Sequence, residues 1–206
     1  VAGVSAVLLA AGESRRMGQI KALLAWEGQP LLRYQVEQLL AAPLERVALV
    51  LGYRAEDLRV LVPDDPRITV VVNPDFASGK VSSIVAGVAT LDIGEDVLIL
   101  GVDQPRPSPL IASVVVRHQV SQCVITVAAF SGRRGHPVIF TSKLRHELLE
   151  ISEESEGLRS LIRRHAADVR AMETGDPIAL VNLNTPEDYA AALRLSSTSS
   201  ARAGNQ

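Results

Sequence analysis

Cysteine is all but missing from this 206-residue chain: Cys123 stands alone. A single thiol excludes an internal disulfide and leaves a cysteine-built zinc site without ligands. Aromatics are also scarce, with one tryptophan, three tyrosines and three phenylalanines, while 47% of residues are apolar. A core must therefore be assembled from Val, Leu, Ile and Ala. Charge of either sign is not in excess, the formal net charge being -2. No general basic field exists to attract a nucleic-acid backbone, so any anion site has to be local. Long hydrophobic runs are absent as well. None approaches the roughly 20 residues of a membrane span, which argues against a membrane partner. The opening stretch from Val1 to Gly12 lacks a basic leader and runs directly into a charged loop. It reads as a buried strand rather than a signal peptide, and with the lone thiol it suits a reducing cytoplasm.

What is present is an alternation of short apolar runs with helical patterns. Val4 to Ala10 reads as a strand buried on both faces, as in a parallel sheet. Leu31, Leu32, Val36, Leu39 and Leu40 fall near helical spacing, and Val47 to Leu51 is the next strand. The pattern predicts a helix over Ala55 to Leu61, a strand over Ile68 to Val72, a helix from near Ser82 and a strand over Asp96 to Leu100. A helix from Pro109 to Gln119, a strand over Val124 to Ala129, a turn over Gly132 to His136 and a short strand over Val138 to Phe140 follow. Such alternation argues for a layered α/β fold with a mostly parallel central sheet. No repeat or linker divides the chain, so 1–195 is expected to be a single domain. The segment 196–206, poor in apolar residues, is expected to be a disordered tail.

Between the first strand and Lys21 lies Leu9-Ala10-Ala11-Gly12-Glu13-Ser14-Arg15-Arg16-Met17-Gly18-Gln19-Ile20-Lys21. A phosphate site needs backbone N–H groups that can be approached closely, which Gly12 and Gly18 permit. It also needs a hydroxyl such as Ser14 and cations such as Arg16 and Lys21. In an open α/β sheet the crevice outside the strand carboxyl ends is the expected ligand position. The glycines alone are equally compatible with an ordinary loop whose arginines are solvated. Neither the P-loop spacing nor a Gly-x-Gly-x-x-Gly fingerprint is present. Asp103, in Gly101-Val102-Asp103-Gln104-Pro105, leaves the end of another strand toward the same crevice. Its carboxylate suits Mg²⁺, which takes oxygen ligands from one or two carboxylates together with substrate phosphates, although a turn aspartate before proline is the plainer reading. In Asn184-Thr185-Pro186, Thr185 is placed to cap a last helix.

The first loop resembles the signature of the MobA-like NTP transferase family, Leu-Ala-(Ala or Gly)-Gly-x-Ser-x-Arg-Met-Gly-x-x-Lys, without a mismatch. That resemblance implies a three-layer Rossmann-like nucleotidyltransferase fold. It implies nucleotide contacts at Leu9, Ala10, Ala11, Gly12, Ser14 and Gly18, and triphosphate neutralisation by Arg16 and Lys21. The family carries the same Asp-Gln-Pro, which implies Asp103 as a metal ligand. Ala11 is similar to the cytidylyltransferase branch, implying CTP, whereas Asn184 is similar to the guanylyltransferase branch, implying GTP. Asn184 would assist at the metal through its amide oxygen. The stretch from Asn73 to Ser83 resembles the family's Asn-Pro-x-x-x-x-Gly-x-x-x-Ser, implying substrate contacts at Asn73, Gly79 and Ser83. Arg134-Gly135-His136-Pro137 resembles a turn of the cytidylyltransferases, which would put His136 at the acceptor. Where the family has Gly-Asp-x-Gly-Ala-Arg, this chain has Glu154-Ser155-Glu156-Gly157-Leu158-Arg159, a departure that bears on the acceptor's identity.

The implied reaction is Mg²⁺-dependent transfer of CMP from CTP to molybdopterin or a similar phosphorylated small molecule. A molybdenum enzyme receiving the cofactor is a further implied partner. The rivals are a GTP-using transferase or one with another phosphorylated acceptor, a non-catalytic protein that carries the cofactor to a molybdenum enzyme, and an oxidoreductase that has reused the fold.

Overall fold

The computed structural model describes residues 2–203 of the chain, with side chains through 196. Nine strands and seven helices occur among the described residues. The first half runs β1 (Val4–Ala10), β2 (Ala25–Trp26), β3 (Gln29–Pro30), α1 (Leu31–Leu40), β4 (Val47–Leu51), α2 (Ala55–Arg59), β5 (Ile68–Val72) and α3 (Lys80–Ala89). The second half runs β6 (Asp96–Gly101), α4 (Ser108–Ser121), β7 (Ile125–Phe130), β8 (Arg133–Phe140), α5 (Arg145–Leu149), α6 (Leu158–Arg164), β9 (Val169–Glu173) and α7 (Pro186–Ala203).

Seven strands form one sheet in the order β5-β4-β1-β6-β8-β7-β9, while β2 and β3 pair apart from it. Only β8 runs against its neighbours; β5, β4, β1, β6, β7 and β9 share one direction. The strict period of two in strand side chains explains the three layers. Along β1, Val4, Ala6, Leu8 and Ala10 enter one core, whereas Val7, Leu9 and Ala11 enter the other. On β6, Leu98 and Leu100 take the first face and Val97 and Ile99 the second. Residues of α1 and α4 pack on the first face, and residues of α3, α5 and α6 on the second. The aromatic shortage is met by placing Trp26, the single tryptophan, wholly inside the first core, edge-on to Tyr34 with ring centroids 6.3 Å apart.

Most strands lie within a residue of their expected positions, but three expectations need correction. The segment Gly132 to His136 is not a turn. The reversal is confined to Ser131 and Gly132, both at positive φ, and Arg133 already pairs with Phe130. That is the backbone of a two-residue type I′ hairpin, whose twist matches the flanking strands. The helix expected near Ser82 begins at Lys80, without a side-chain cap from its own N-cap residue, Gly79. Its Val81 N–H donates instead to Glu153 Oε1 at 2.7 Å, a partner 72 residues away. Finally, the tail expected over 196–206 overlaps the last turns of α7, and 204–206 lie outside the described residues.

At the β6 end remote from the strand carboxyl termini, buried polar groups close on one another. Asp96 accepts from the Ser142 N–H at 2.7 Å and meets His118 Nε2 at 3.3 Å, while His118 Nδ1 lies 2.7 Å from Thr126 Oγ1. Burial pushes the Asp96 pKa up, but these hydrogen bonds outweigh it and hold the carboxyl below its usual range. The cluster is satisfied within the fold and ties α4 to three strands' ends.

Helix α3 lies unusually close to the sheet because Gly87 has no side chain. A Cβ there would sit 2.5 Å from Val7 Cγ1 and 2.9 Å from Val50 Cγ2. Gly87→Val is expected to cost about 1–3 kcal/mol through overpacking. Thermal unfolding of the purified variant checks this: a melting temperature equal to the parent's would mean that the contact yields freely.

Candidate active site

The carboxyl ends of β1 and β6, the start of α3 and the near end of β8 border one cleft of about 1040 Å³. Its floor is the rim of the sheet itself. Leu9, Ala10, Ala11, Gly12, Ser14, Arg16 and Lys21 all line it from the first loop, and Asp103, Gly79, Ser83, His136 and Asn184 line it from other segments. Two sequence-derived candidates lie elsewhere. Gly18 sits at φ 72 and closes the 3-10 turn Arg15–Met17, a left-handed position that a residue without Cβ takes without strain. Asn73 is buried behind the wall: its amide donates to Ser82 Oγ at 2.9 Å and Ser83 Oγ at 3.0 Å, and its oxygen accepts from the Asp75 N–H. Its hydrogen-bonding capacity goes into shaping the loop before α3.

The first loop is held in place by its own hydroxyl. Ser14 adopts the left-handed conformation, φ 57 and ψ 33, and its Oγ accepts from the backbone N–H of Lys21 at 3.1 Å. That bond delivers the lysine side chain to the far side of the cleft. Lys21 Nζ donates to Asp103 Oδ2 at 2.8 Å and to Asn184 Oδ1 at 3.0 Å. Residues separated by 82 and 163 positions thus meet at one point. Their oxygens converge on a single cation, and the chemistry of this donor set, one carboxylate and one amide oxygen, fits a hard ion such as Mg²⁺. Among the described residues no group of three or more His, Cys, Asp or Glu forms a richer metal cluster.

Two stretches of backbone must hold still for that convergence. The loop after β6 is pinned through Gln104, whose Oε1 accepts from the Gly101 N–H at 2.8 Å and whose Nε2 donates to Asn182 Oδ1 at 2.7 Å. Gln35, buried on α1, donates to the Gln104 carbonyl at 2.6 Å. The Asn184 segment is fixed by a reciprocal cap: Asp188 Oδ2 accepts from the Thr185 N–H at 3.0 Å, and Thr185 Oγ1 accepts from the Asp188 N–H at 3.2 Å. The Leu183 N–H also donates to the Asp103 carbonyl at 2.8 Å.

Sequence reading passed over the residue beneath all of this. Arg106 is fully buried, and its guanidinium donates to four backbone carbonyls, those of Pro105, His136, Ala179 and Val181, at 2.8–2.9 Å. Burial lowers its pKa to about 9, against the pull of Asp103 and Asp176, so the group remains charged at neutral pH. An arginine between two prolines carries no sequence mark of burial. Lys80, Arg134 and Arg159, which lie within stretches compared with the family but were given no role of their own, also line the cleft, as does Glu153, which the sequence reading did not mention. Arg134 is the first residue of the Arg134-Gly135-His136-Pro137 stretch, whereas Glu153 reaches α3 only through tertiary packing.

His136 reaches the cleft from β8. Its Nδ1 is enclosed without a hydrogen-bond partner, and burial, with Lys80 and Arg106 nearby, lowers its pKa to about 3. The imidazole is therefore neutral in the working pH range, offering an unused polar atom rather than a charge.

These features coincide with an established class. The chain matches the MobA-like NTP transferase domain over residues 6–169 and belongs to that family. Among curated relatives it is 31% identical to nicotine blue oxidoreductase of Paenarthrobacter nicotinovorans, over 89% of this chain and 93% of that one. It is 24% identical to the molybdenum cofactor cytidylyltransferase of Escherichia coli K12, over 93% of this chain and 96% of the relative. A nucleotidyl transferase from Methanothermobacter superposes with a TM-score of 0.80 at 21% identity, covering 95% of this chain and 99% of that structure. Rv0371c from Mycobacterium tuberculosis, solved in complex with manganese, superposes at 0.74 with 21% identity, covering 93% and 98%. These structural likenesses confirm the layered α/β nucleotidyltransferase fold.

The neutral His136 makes a pH prediction. Between about pH 6.5, where an unfolded histidine titrates, and about pH 3, the unfolded chain binds a proton that the folded chain refuses. Stability is thus lost as pH falls through that window. His136→Asn should lose less melting temperature between pH 7 and pH 5 than the parent; parallel losses would show that His136 titrates normally.

Proposed function

We propose that the chain transfers CMP from CTP to molybdopterin or a closely similar phosphorylated acceptor, releasing pyrophosphate. The observation that carries this reading is the meeting of Lys21, Asp103 and Asn184 in the cleft that the first loop borders. Asp103 and Asn184 would hold Mg²⁺, which supplies neutralisation of phosphate charge when bound. Arg16 and Lys21 stabilise negative charge on the triphosphate and on the departing pyrophosphate. The Gly12 backbone, with open space where a side chain would stand, admits the phosphates closely. An acceptor phosphate oxygen forms the new bond to the α-phosphorus in line as the bond to the β-phosphate oxygen breaks. The nucleophile is already anionic, so positioning rather than a general base is what the protein contributes. His136, neutral and with Nδ1 free, suits a polar edge of the acceptor.

Two observations support second readings. Asn184, where an aspartate would favour the cytidylyl branch, supports GTP, and a guanylyltransferase of Xanthomonas euvesicatoria is 29% identical over 89% of this chain. The 31% relative named as an oxidoreductase supports redox use of the same fold. Among the described residues no helix is long and apolar enough to cross a membrane.

The test is pyrophosphate release with each NTP and Mg²⁺, with and without molybdopterin, followed by mass analysis of the product. CTP- and pterin-dependent release is expected, and Asp103→Ala should lower it by on the order of 100-fold or more with the fold intact by circular dichroism. Release with GTP alone would move the chain to the sister branch. Silence with all four, together with a bound flavin or nicotinamide spectrum, would favour the oxidoreductase.

A further inference from the structure

We propose that Lys21 is a built-in counter-cation, occupying the oxygens of Asp103 and Asn184 in the free protein, so that a divalent metal enters only together with a nucleotide. The inference rests on the reading of Asp103 and Asn184 as metal ligands.

The geometry sets up a direct competition. The Lys21 ammonium lies 2.8 Å from Asp103 Oδ2 and 3.0 Å from Asn184 Oδ1, between the two oxygens that a metal would need. Magnesium binds oxygen at about 2.0–2.1 Å, so ion and ammonium cannot share that point. Nor is this a loose surface pair. The Lys21 and Asp103 side chains are 13% and 24% exposed, which leaves their attraction less screened than that of solvated ions. The lysine backbone is in turn tied to Ser14 Oγ.

Local charge makes the competition one-sided. Asn184 contributes no formal charge, so Asp103 is the one carboxylate ion-paired with Lys21 among the described residues, and the buried Arg106 already draws on its field. A metal arriving alone would evict Lys21 into a partly buried position without a partner, and would leave positive charge in excess. A triphosphate changes both quantities: its oxygens give the displaced ammonium new acceptors and give the metal further ligands. The first loop, which supplies Lys21, also lines the cleft through Ser14 and Arg16, so the new partner arrives within reach. Metal and nucleotide therefore bind with strong positive coupling, and the lysine that later faces the phosphates is the same group that guards the metal site beforehand.

The test titrates Mn²⁺ alone into the full chain and follows the free ion by electron paramagnetic resonance, without acceptor and without turnover. Lys21→Met and Lys21→Gln are compared with the parent, each also combined with Asp103→Asn, and circular dichroism verifies the fold of every variant. The two lysine variants are expected to bind Mn²⁺ severalfold more tightly than the parent. That gain should vanish when Asp103→Asn is added, and should shrink when a non-hydrolysable CTP analogue is present. If Lys21→Met and Lys21→Gln bind Mn²⁺ no better than the parent while Asp103→Asn weakens binding, the counter-cation role is overturned and the metal reading stands. If Asp103→Asn changes Mn²⁺ affinity in no background, with or without the analogue, both fall.

Discussion

One buried charge organises the rim of this sheet. The Arg106 guanidinium has no ion-pair partner among the described residues and is satisfied by carbonyls from three separate stretches: its own loop, β8 at His136, and the segment around Ala179 and Val181. Placing an unpaired cation inside a protein is costly, and the cost is tolerable only when donors find acceptors in good geometry. Each carbonyl is backbone, so the arrangement constrains main-chain paths rather than side-chain identities. Asp103 precedes Arg106 by three residues and Asn184 follows Val181 by three, and the distance between them is governed by this shared anchor. The Gln35–Gln104–Asn182 chain then sets their fine register.

The layered fold was legible because its signal is local. Apolar runs bounded by Gly and Pro located β1, β4, β5 and β6, and strict alternation along them accounts for the two cores. The first loop and Asp103 were legible as well, since each leaves a strand end and the carboxyl rim of a parallel sheet is shared by all such ends. What stayed hidden was tertiary. Nothing near Asn73 reveals that its amide is consumed by two serines, and nothing near Arg106 reveals full burial. Glu153 caps α3 only because the chain returns to meet Val81 after 72 residues. Hydrogen-bond partners chosen across such separations leave no periodicity to read.

The cleft divides into two halves with different chemistry. One half rests on β1 and the first loop, where glycine and cations provide close approach and positive charge. The other half is built from β8, the start of α3 and the 153–159 segment, which mixes Lys80, Arg134 and Arg159 with the neutral His136 and the apolar Val127, Val138 and Ile162. The second half holds both the departure over Glu154 to Arg159 and segments that resemble family stretches, Gly79 and Ser83 at the start of α3 and Arg134 to Pro137 on β8. That division is consistent with relatives whose names span a cytidylyltransferase, guanylyltransferases and an oxidoreductase on similar chains.

The lone reversed strand, β8, gives that second half an evolutionary freedom that the first lacks. The parallel strands β1, β4, β5 and β6 each reach the rim at their end and then lead into a helix that packs back on a layer, so altering one of those connections disturbs the layers. β8 instead begins at the rim, straight out of a two-residue hairpin whose Gly132 has open space around it. Residues could be inserted or exchanged at that tip while the pairing of Val138 with Ile99 stays fixed. Selection can therefore remodel the β8 wall of the cleft by lengthening one hairpin, leaving the wall built from the first loop intact.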